Sequence, residues 1–243
     1  MEPGNPTQTH LTSVWRSAFL QALAVALTLS AALLFLSQGM AYADQSPGAG
    51  ASIARLGSSS GIPACSSCHG SKGEGNPAVG YPRLAGLPEA YLNQQLNALA
   101  SGKRSNPMMT PIAVLLSNEQ KSELSAFYAN LPAASGSLPA TPRAPDYLRG
   151  EALALHGKWS ENVPACIQCH GSGGGGVGAV FPALAGQSSV YIQNQLTAWR
   201  AGTRAPGPLG LMSVVASKLS VSESKAVGDY FAAQPLVVQG STR

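Results

Sequence analysis

Charged residues are scarce in this sequence, and they do not gather into runs. Lys, Arg, Asp and Glu together make up only 11% of the 243 residues, and aromatic residues another 6%. The formal net charge of +4 comes from Lys and Arg residues that are dispersed along the sequence. They form neither a basic run nor the alternation of basic and aromatic residues that binds a phosphate backbone. The composition therefore argues against nucleic acid binding. The 27 Gly and 18 Pro instead predict many turns between modest regular elements.

A long apolar run lies near the amino terminus. Residues 17–36 contain no charged side chain, follow the basic Arg16, and precede the sequence Ala41-Tyr42-Ala43. This order predicts a secretory signal peptide cleaved after Ala43. The alternative is an uncleaved membrane anchor, because about 20 apolar residues can span a bilayer. Either interpretation predicts an exported, periplasmic protein.

The rest of the sequence contains one module twice, at an offset of about 100 residues. Residues 63–70 match residues 164–171, and an aromatic-Pro-x-Leu-Ala-Gly segment occurs at 81–86 and again at 181–186. Such a repeat predicts two similar domains. The predicted boundaries are 1–43 for the signal peptide, 44–132 for the first domain, 133–146 for a Pro/Ala/Ser-rich linker and 147–243 for the second domain.

The apolar residues of each module have helical spacing. They recur at i, i+4 and i+7 and are followed by a glycine that ends the helix. The first copy has Leu92, Leu96, Leu99 and Gly102, and the second has Ile192, Leu196, Trp199 and Gly202.

A later helix in each module begins at a capping box. The boxes are Ser117 with Gln120 and Ser220 with Glu223, and a proline follows each helix. A weaker helix precedes each cysteine motif, most clearly at residues 149–157. No segment alternates convincingly with period two, so the predicted fold class is all-α, with a few helices and long loops in each domain.

Two Cys-x-x-Cys-His motifs carry the chemistry. Two thiols at this spacing on one turn can add to both vinyl groups of a haem, while the adjacent histidine reaches the iron. Disulfides, thioredoxin-like redox pairs and zinc are the alternatives, but the two pairs lie too far apart for an ordinary zinc site. Covalent haem accounts for all six residues together. The predicted thioether residues are Cys65, Cys68, Cys166 and Cys169, and the predicted axial histidines are His69 and His170.

Haem iron that passes electrons without binding a substrate needs a sixth ligand. Three methionines follow residue 43, and two of them are in matched register. Met109 lies eight residues before Ser117, and Met212 lies eight residues before Ser220. We therefore predict Met109 and Met212 as distal ligands and treat Met108 as an ordinary packing residue.

Two prolines are candidates for a supporting role. Pro82 and Pro182 follow the motif histidines by 13 and 12 residues. Their carbonyl groups could accept the histidine ring N–H and orient the ligand, or the prolines could simply fix a turn. These roles are compatible. His156, a possible alternative ligand, is expected on the surface of the helix before the second motif.

These motifs resemble those of cytochrome c4, a family of di-haem class I cytochromes c. The resemblance spans about residues 48–235 and rests on both Cys-x-x-Cys-His motifs, the Pro-x-Leu-Ala-Gly segments, the Tyr-x-x-x-Gln-Leu helices and a Met before the last capped helix. It implies two class I cytochrome c domains, each with His and Met on opposite sides of a haem. It also implies the same thioether and axial residues as above, with Pro82 and Pro182 orienting the histidines.

The resemblance implies an electron carrier rather than an enzyme. The expected donor is quinol:cytochrome c reductase or a dehydrogenase, and the expected acceptor is a terminal oxidase. One alternative is a cytochrome subunit of a periplasmic dehydrogenase, with membrane association through that partner or through an uncleaved anchor. Another is a di-haem peroxidase, which would need an open iron site.

Overall fold

The computed structural model describes residues 48–133 and 144–236. The predicted signal peptide at 1–43 and most of the predicted linker lie outside these ranges. The described residues all belong to one compact unit. Residues 48–133, which cover most of the predicted first domain, are here called module 1, and residues 144–236, which cover most of the predicted second domain, are called module 2. No helix in the described ranges is long and apolar enough to cross a membrane.

Each module contains five α-helices. In module 1 they are α1 Ala49–Leu56, α2 Ser66–His69, α3 Glu89–Ala100, α4 Met109–Leu115 and α5 Asn118–Asn130. In module 2 they are α6 Pro145–His156, α7 Cys166–His170, α8 Ser189–Arg200, α9 Leu211–Lys218 and α10 Val221–Ala233. Three short 3-10 helices lie in module 2, at Trp159–Glu161, Ser172–Gly174 and Pro208–Gly210. The described residues form isolated β-bridges but no strands, so the all-α prediction is confirmed.

The predicted helix ends are confirmed. Both capping boxes form: the Gln120 amide N–H donates to Ser117 Oγ at 3.1 Å, and the Glu223 amide N–H donates to Ser220 Oγ at the same distance. Helices α3 and α8 end two residues before Gly102 and Gly202. Those glycines have φ of 74° and 72°, a conformation that favours glycine and turns the chain out of the helix.

The helix before the second cysteine motif is longer than predicted. It begins at Pro145 rather than at residue 149, with Ala144 as its N-cap. Proline is well suited to the first turn, because its fixed φ matches the helix and its missing N–H would have had no partner. The last two residues of the predicted linker are therefore helical.

The first and last helices of each module cross at a glycine. Helix α1 packs on α5, and α6 packs on α10. A Cβ added at Gly50 would overlap the Glu123 carbonyl group, and one added at Gly150 would overlap the Ala226 carbonyl group. The absence of a side chain therefore allows the two helix backbones to approach closely in both modules.

Each module has its own apolar core around this crossing. Module 1 buries Ile53, Leu92, Leu124 and Tyr128, and module 2 buries Leu153, Ile192, Val227 and Phe231. The cysteine motifs adjoin these cores, since Cys65 packs against the first and Cys166 against the second. The cores thus hold the motif helices in place.

Candidate haem sites

The two motif histidines have the same environment. His69 and His170 end the short helices α2 and α7 and are only 5% and 7% exposed. His69 Nδ1 lies 2.9 Å from the Pro82 carbonyl oxygen, and His170 Nδ1 lies 2.8 Å from the Pro182 carbonyl oxygen. A carbonyl only accepts, so Nδ1 carries the proton and donates it. Nε2 is then the ring nitrogen that can bind a metal.

The protonation of both histidines suits a metal ligand. Burial lowers the pKa of His69 and of His170 below the ordinary value, and the bond to the proline carbonyl only partly opposes this effect. The neutral imidazole is therefore favoured at neutral pH. This is the form that binds iron.

A glycine lies close against each accepting peptide. The Gly75 N–H donates to the His69 carbonyl at 2.8 Å, and the Gly176 N–H donates to the His170 carbonyl at 2.6 Å. A Cβ at Gly75 would lie 2.6 Å from the Arg83 nitrogen, which belongs to the peptide that bonds His69. With φ of 82° and 87°, these positions favour glycine for conformation as well as for space.

None of the four motif cysteines forms a disulfide. Burial raises the pKa of Cys65, and it raises the pKa of Cys166 to about 11. They lie beside the apolar cores and are not held as reactive thiolates.

A cavity of about 1040 Å³ brings together the predicted residues of module 2. Cys166, Cys169, His170 and Met212 all line it, together with apolar side chains that include Leu196 and Val215. The cavity has the large apolar volume and the paired sulfur and nitrogen groups that a haem requires.

The predicted residues of module 1 occupy matching positions. Met109 begins α4 and is half-buried, as Met212 is in α9, whereas Met108 is 58% exposed. The ring centroids of His69 and Tyr81 are 6.3 Å apart, the same separation as for His170 and Phe181. His156 is exposed at the end of α6 and lies away from the core.

Two arginines meet where the modules join. Residues 104 and 204 form an antiparallel β-bridge, flanked by a hydrogen bond from Ser105 N–H to the Thr203 carbonyl. Each guanidinium donates to the side-chain oxygens of both Gln95 and Gln195, at 2.8 to 3.1 Å. Each also donates to the tyrosine of the other module. Arg104 bonds Tyr191 at 3.1 Å, and Arg204 bonds Tyr91 at 3.4 Å.

These arginines lack an acidic partner. Within residues 48–133 and 144–236, the ion pairs do not include Arg83, Arg104 or Arg204, although Arg83 and Arg204 are buried. Buried cations are ordinarily paired with anions. Arg104 and Arg204 line the large cavity. A haem fits this arrangement, because its propionates would supply the missing negative charge at the polar end of an otherwise apolar site.

The residues that join the modules were not among those predicted from the sequence. Arg104 and Arg204 lie at the repeat offset of 100 residues, so the repeat itself contained the signal for this pair. Arg83 and Gln187 carried no such signal. Their matched positions hold Ala183 and Leu87, so a search for shared residues passes over them.

The chain is similar in sequence to proteins of known family. The cytochrome c family model matches residues 62–131. A thiosulfate dehydrogenase electron acceptor from Thiomonas intermedia (strain K12) is 49% identical over 172 residues, covering 71% of this chain and 79% of that protein. Cytochrome c4 of Pseudomonas aeruginosa is 38% identical over 168 residues, covering 68% of this chain and 81% of that protein.

Solved structures show the same relationship. Reduced recombinant cytochrome c4 from Pseudomonas stutzeri has a TM-score of 0.67 and 31% identity, covering 77% of this chain and 97% of that chain. The thiosulfate dehydrogenase TsdBA from Marichromatium purpuratum has a TM-score of 0.73 and 43% identity, covering 77% of this chain. The match spans only 40% of the TsdBA chain. With two class I cytochrome c domains and two covalently bound haem c groups, the protein transfers electrons to and from redox partners as a carrier rather than an enzyme, and it belongs to the cytochrome c4 family.

Proposed function

We propose that this chain is an exported electron acceptor for a dehydrogenase that oxidises thiosulfate, and that it passes the electrons to a terminal oxidase. The observation that carries the proposal is the 49% identity to a thiosulfate dehydrogenase electron acceptor across both modules. The match to part of TsdBA supports it, because a related pair of modules occurs there within a polypeptide named for that activity.

The proposed roles of the residues follow the geometry of each module. Cys65, Cys68, Cys166 and Cys169 would hold the haems by thioether bonds, and His69 and His170 would bind iron through Nε2. Met109 and Met212 would supply the second ligand to each iron. Pro82 and Pro182 fix the histidine rings through their carbonyl oxygens. Bound haem supplies a one-electron exchange between ferric and ferrous iron, with both axial positions filled.

Arg104 and Arg204 supply positive charge where the two modules meet. They would compensate the negative charge of haem propionates that reach this polar region. An electron that enters one module can then leave from the other. This two-site relay predicts two haems with separable potentials and exchange between them faster than turnover by a partner.

Exposed apolar side chains lie at the mouth of the module 2 cavity. Val180, Leu209 and Leu211 line the cavity and are 55%, 90% and 43% exposed. Grouped apolar side chains at the surface are typical of interaction sites. This mouth is the proposed contact for one redox partner.

The test is reduction of the purified holoprotein by a thiosulfate dehydrogenase in the presence of thiosulfate, followed by haem absorbance in a stopped-flow instrument. We expect rapid reduction of both haems, with none when either the dehydrogenase or thiosulfate is omitted. Pseudomonas aeruginosa cytochrome c4 is the matched control protein. Equal or faster reduction of that control would favour a general respiratory carrier, and no reduction of this chain would contradict the proposal.

A further inference from the structure

One peptide group links the His69 site to module 2. The Pro82 carbonyl accepts the His69 ring N–H at 2.9 Å, and the N–H of the same peptide unit belongs to Arg83. That N–H donates to Gln187 Oε1 at 2.9 Å. The chain of bonds therefore runs from the His69 ring, through a single peptide, to a side chain of the other module.

Gln187 is fixed in this orientation. Its Oε1 also accepts from the Ser188 N–H at 3.0 Å, and its Nε2 donates to the Arg83 carbonyl at 3.1 Å. Two backbone donors require the oxygen on that side, so the amide cannot be reversed. Gln187 is 3% exposed, and water does not compete for these bonds.

Arg83 reinforces the same contact. Its guanidinium donates to the Ala85 carbonyl at 2.6 Å within module 1 and to the Ala185 carbonyl at 3.1 Å in module 2. Residue 83 is thus bonded to module 2 through its N–H, its carbonyl and its side chain. Movement of the Pro82 peptide away from Gln187 would break the two backbone links and strain the third.

Module 2 has no counterpart of this arrangement. The peptide that accepts from His170 joins Pro182 to Ala183, and the position that matches Gln187 is Leu87. A leucine side chain has no hydrogen-bonding group. The two proximal histidines therefore share their first partner but differ in what lies behind it.

Haem 1 is here the haem bound by His69, and haem 2 the haem bound by His170. We infer that Gln187 is a positioning residue through which module 2 lowers the reduction potential of haem 1. The potential of haem 2 is unaffected by this residue. The inference rests on the ligation by His69 in the proposed function. Donation by the Arg83 N–H polarises the peptide, and bonds in such a chain strengthen one another by about 10–30% each. The Pro82 carbonyl becomes a stronger acceptor, so the His69 ring becomes more basic and stabilises ferric iron.

The first test replaces Gln187 in the holoprotein and measures both potentials by spectroelectrochemistry, with the haems assigned from their methionine methyl resonances. Gln187→Met keeps the length of the side chain but removes the acceptor oxygen. We expect the equilibrium of haem 1 to shift toward the ferrous state by about two- to fivefold, or roughly 18 to 41 mV at 59 mV per tenfold. Haem 2 should shift by less than a third as much.

Three further variants separate this effect from a loosened interface. Gln187→Glu restores an acceptor oxygen and should return haem 1 to the wild-type potential or below it. Ser188→Ala removes a neighbouring bond between modules, from Ser188 Oγ to the Pro77 carbonyl at 3.4 Å, together with the N-cap bond that Ser188 Oγ accepts from the Tyr191 N–H at 3.2 Å. It should leave the potential of haem 1 unchanged. Leu87→Gln offers the Ala183 N–H an equivalent acceptor and should lower the potential of haem 2.

The ring proton of His69 gives a second readout. Its Nδ1–H resonance should move upfield in Gln187→Met, which reports a weaker bond to Pro82, while that of His170 stays in place. The inference would be overturned if Gln187→Met shifted the potentials of both haems equally, left the potential of haem 1 unchanged, or lowered it. Two haems with His and Met ligation in every variant would leave the proposed function standing whichever result is obtained.

Discussion

The crossing of helices α6 and α10 provides a quantitative prediction about the stability of module 2. Gly150 lies inside α6, and a Cβ there would overlap the Ala226 carbonyl group and lie 3.0 Å from the Tyr230 Cβ. The backbone carbonyl cannot rotate aside as a side chain can. The overlap in Gly150→Ala should therefore reduce the free energy of unfolding by about 3 kcal/mol, the upper end of the range for overpacking. Alanine recovers about 1 kcal/mol of helix propensity. The expected net loss in the free energy of unfolding is therefore about 2 kcal/mol.

The assay is guanidinium unfolding of the holoprotein, followed by far-UV circular dichroism and by the near-infrared band that reports methionine bound to iron. Gly150→Ala should lower the midpoint for haem 2 first, and Gly50→Ala should do the same for haem 1. Gly48→Ala is the matched control, because a Cβ there has no neighbour within 4 Å. Since Gly48 is the N-cap of α1, this variant should still lose a little stability, less than about 1 kcal/mol. A Gly150→Ala variant as stable as the wild type would refute the close-crossing argument.

Three other predictions concern ligation, the interface and acid stability. Met212→Ala and Met109→Ala should each open one iron site to carbon monoxide, with loss of half the near-infrared methionine signal, while Met108→Ala changes neither readout. Arg204→Met should lower the free energy of unfolding in guanidinium by about 2 kcal/mol, because Tyr91, Gln95 and Gln195 each lose a buried charged donor. Lys218→Met is its control and should have little effect, because it removes only an exposed bond to the Asn162 carbonyl. The pKa of Glu223 is lowered from its ordinary 4.5 to about 2, chiefly by the hydrogen bond that Lys158 donates to it. Glu161 also forms an ion pair with Lys158. The stability this gives is complete above about pH 4.5 and is lost as the pH falls toward 2. Glu223→Gln keeps a capping box like that of Gln120 and should remove this acid dependence, as measured by thermal unfolding between pH 7 and pH 2.

The sequence predicted the elements whose chemistry is local. A Cys-x-x-Cys-His motif, a capping box and a glycine at a helix end each depend on residues within one or two turns. The structure accordingly has the boxes at Ser117 and Ser220 and helices that end just before Gly102 and Gly202. The matched register of Met109 and Met212 was available for the same reason, since both were counted from a local landmark.

Contacts between distant residues could not be predicted in this way. Gln187 contacts Arg83 across 104 positions of sequence, and the pair has no equivalent in the other copy. Gly50 and Gly150 were in matched positions, but only the packed helices show that each one faces a carbonyl group. Sequence repetition reveals what two modules share, whereas the asymmetry between them depends on how they pack.

The most direct test of the account is a redox titration of the purified holoprotein, combined with a haemochrome count and the near-infrared spectrum. The account predicts two c-type haems per chain, methionine bound to both irons, and two one-electron steps with separable potentials. A single haem per chain, or an iron that lacks methionine and binds carbon monoxide in the wild type, would contradict it.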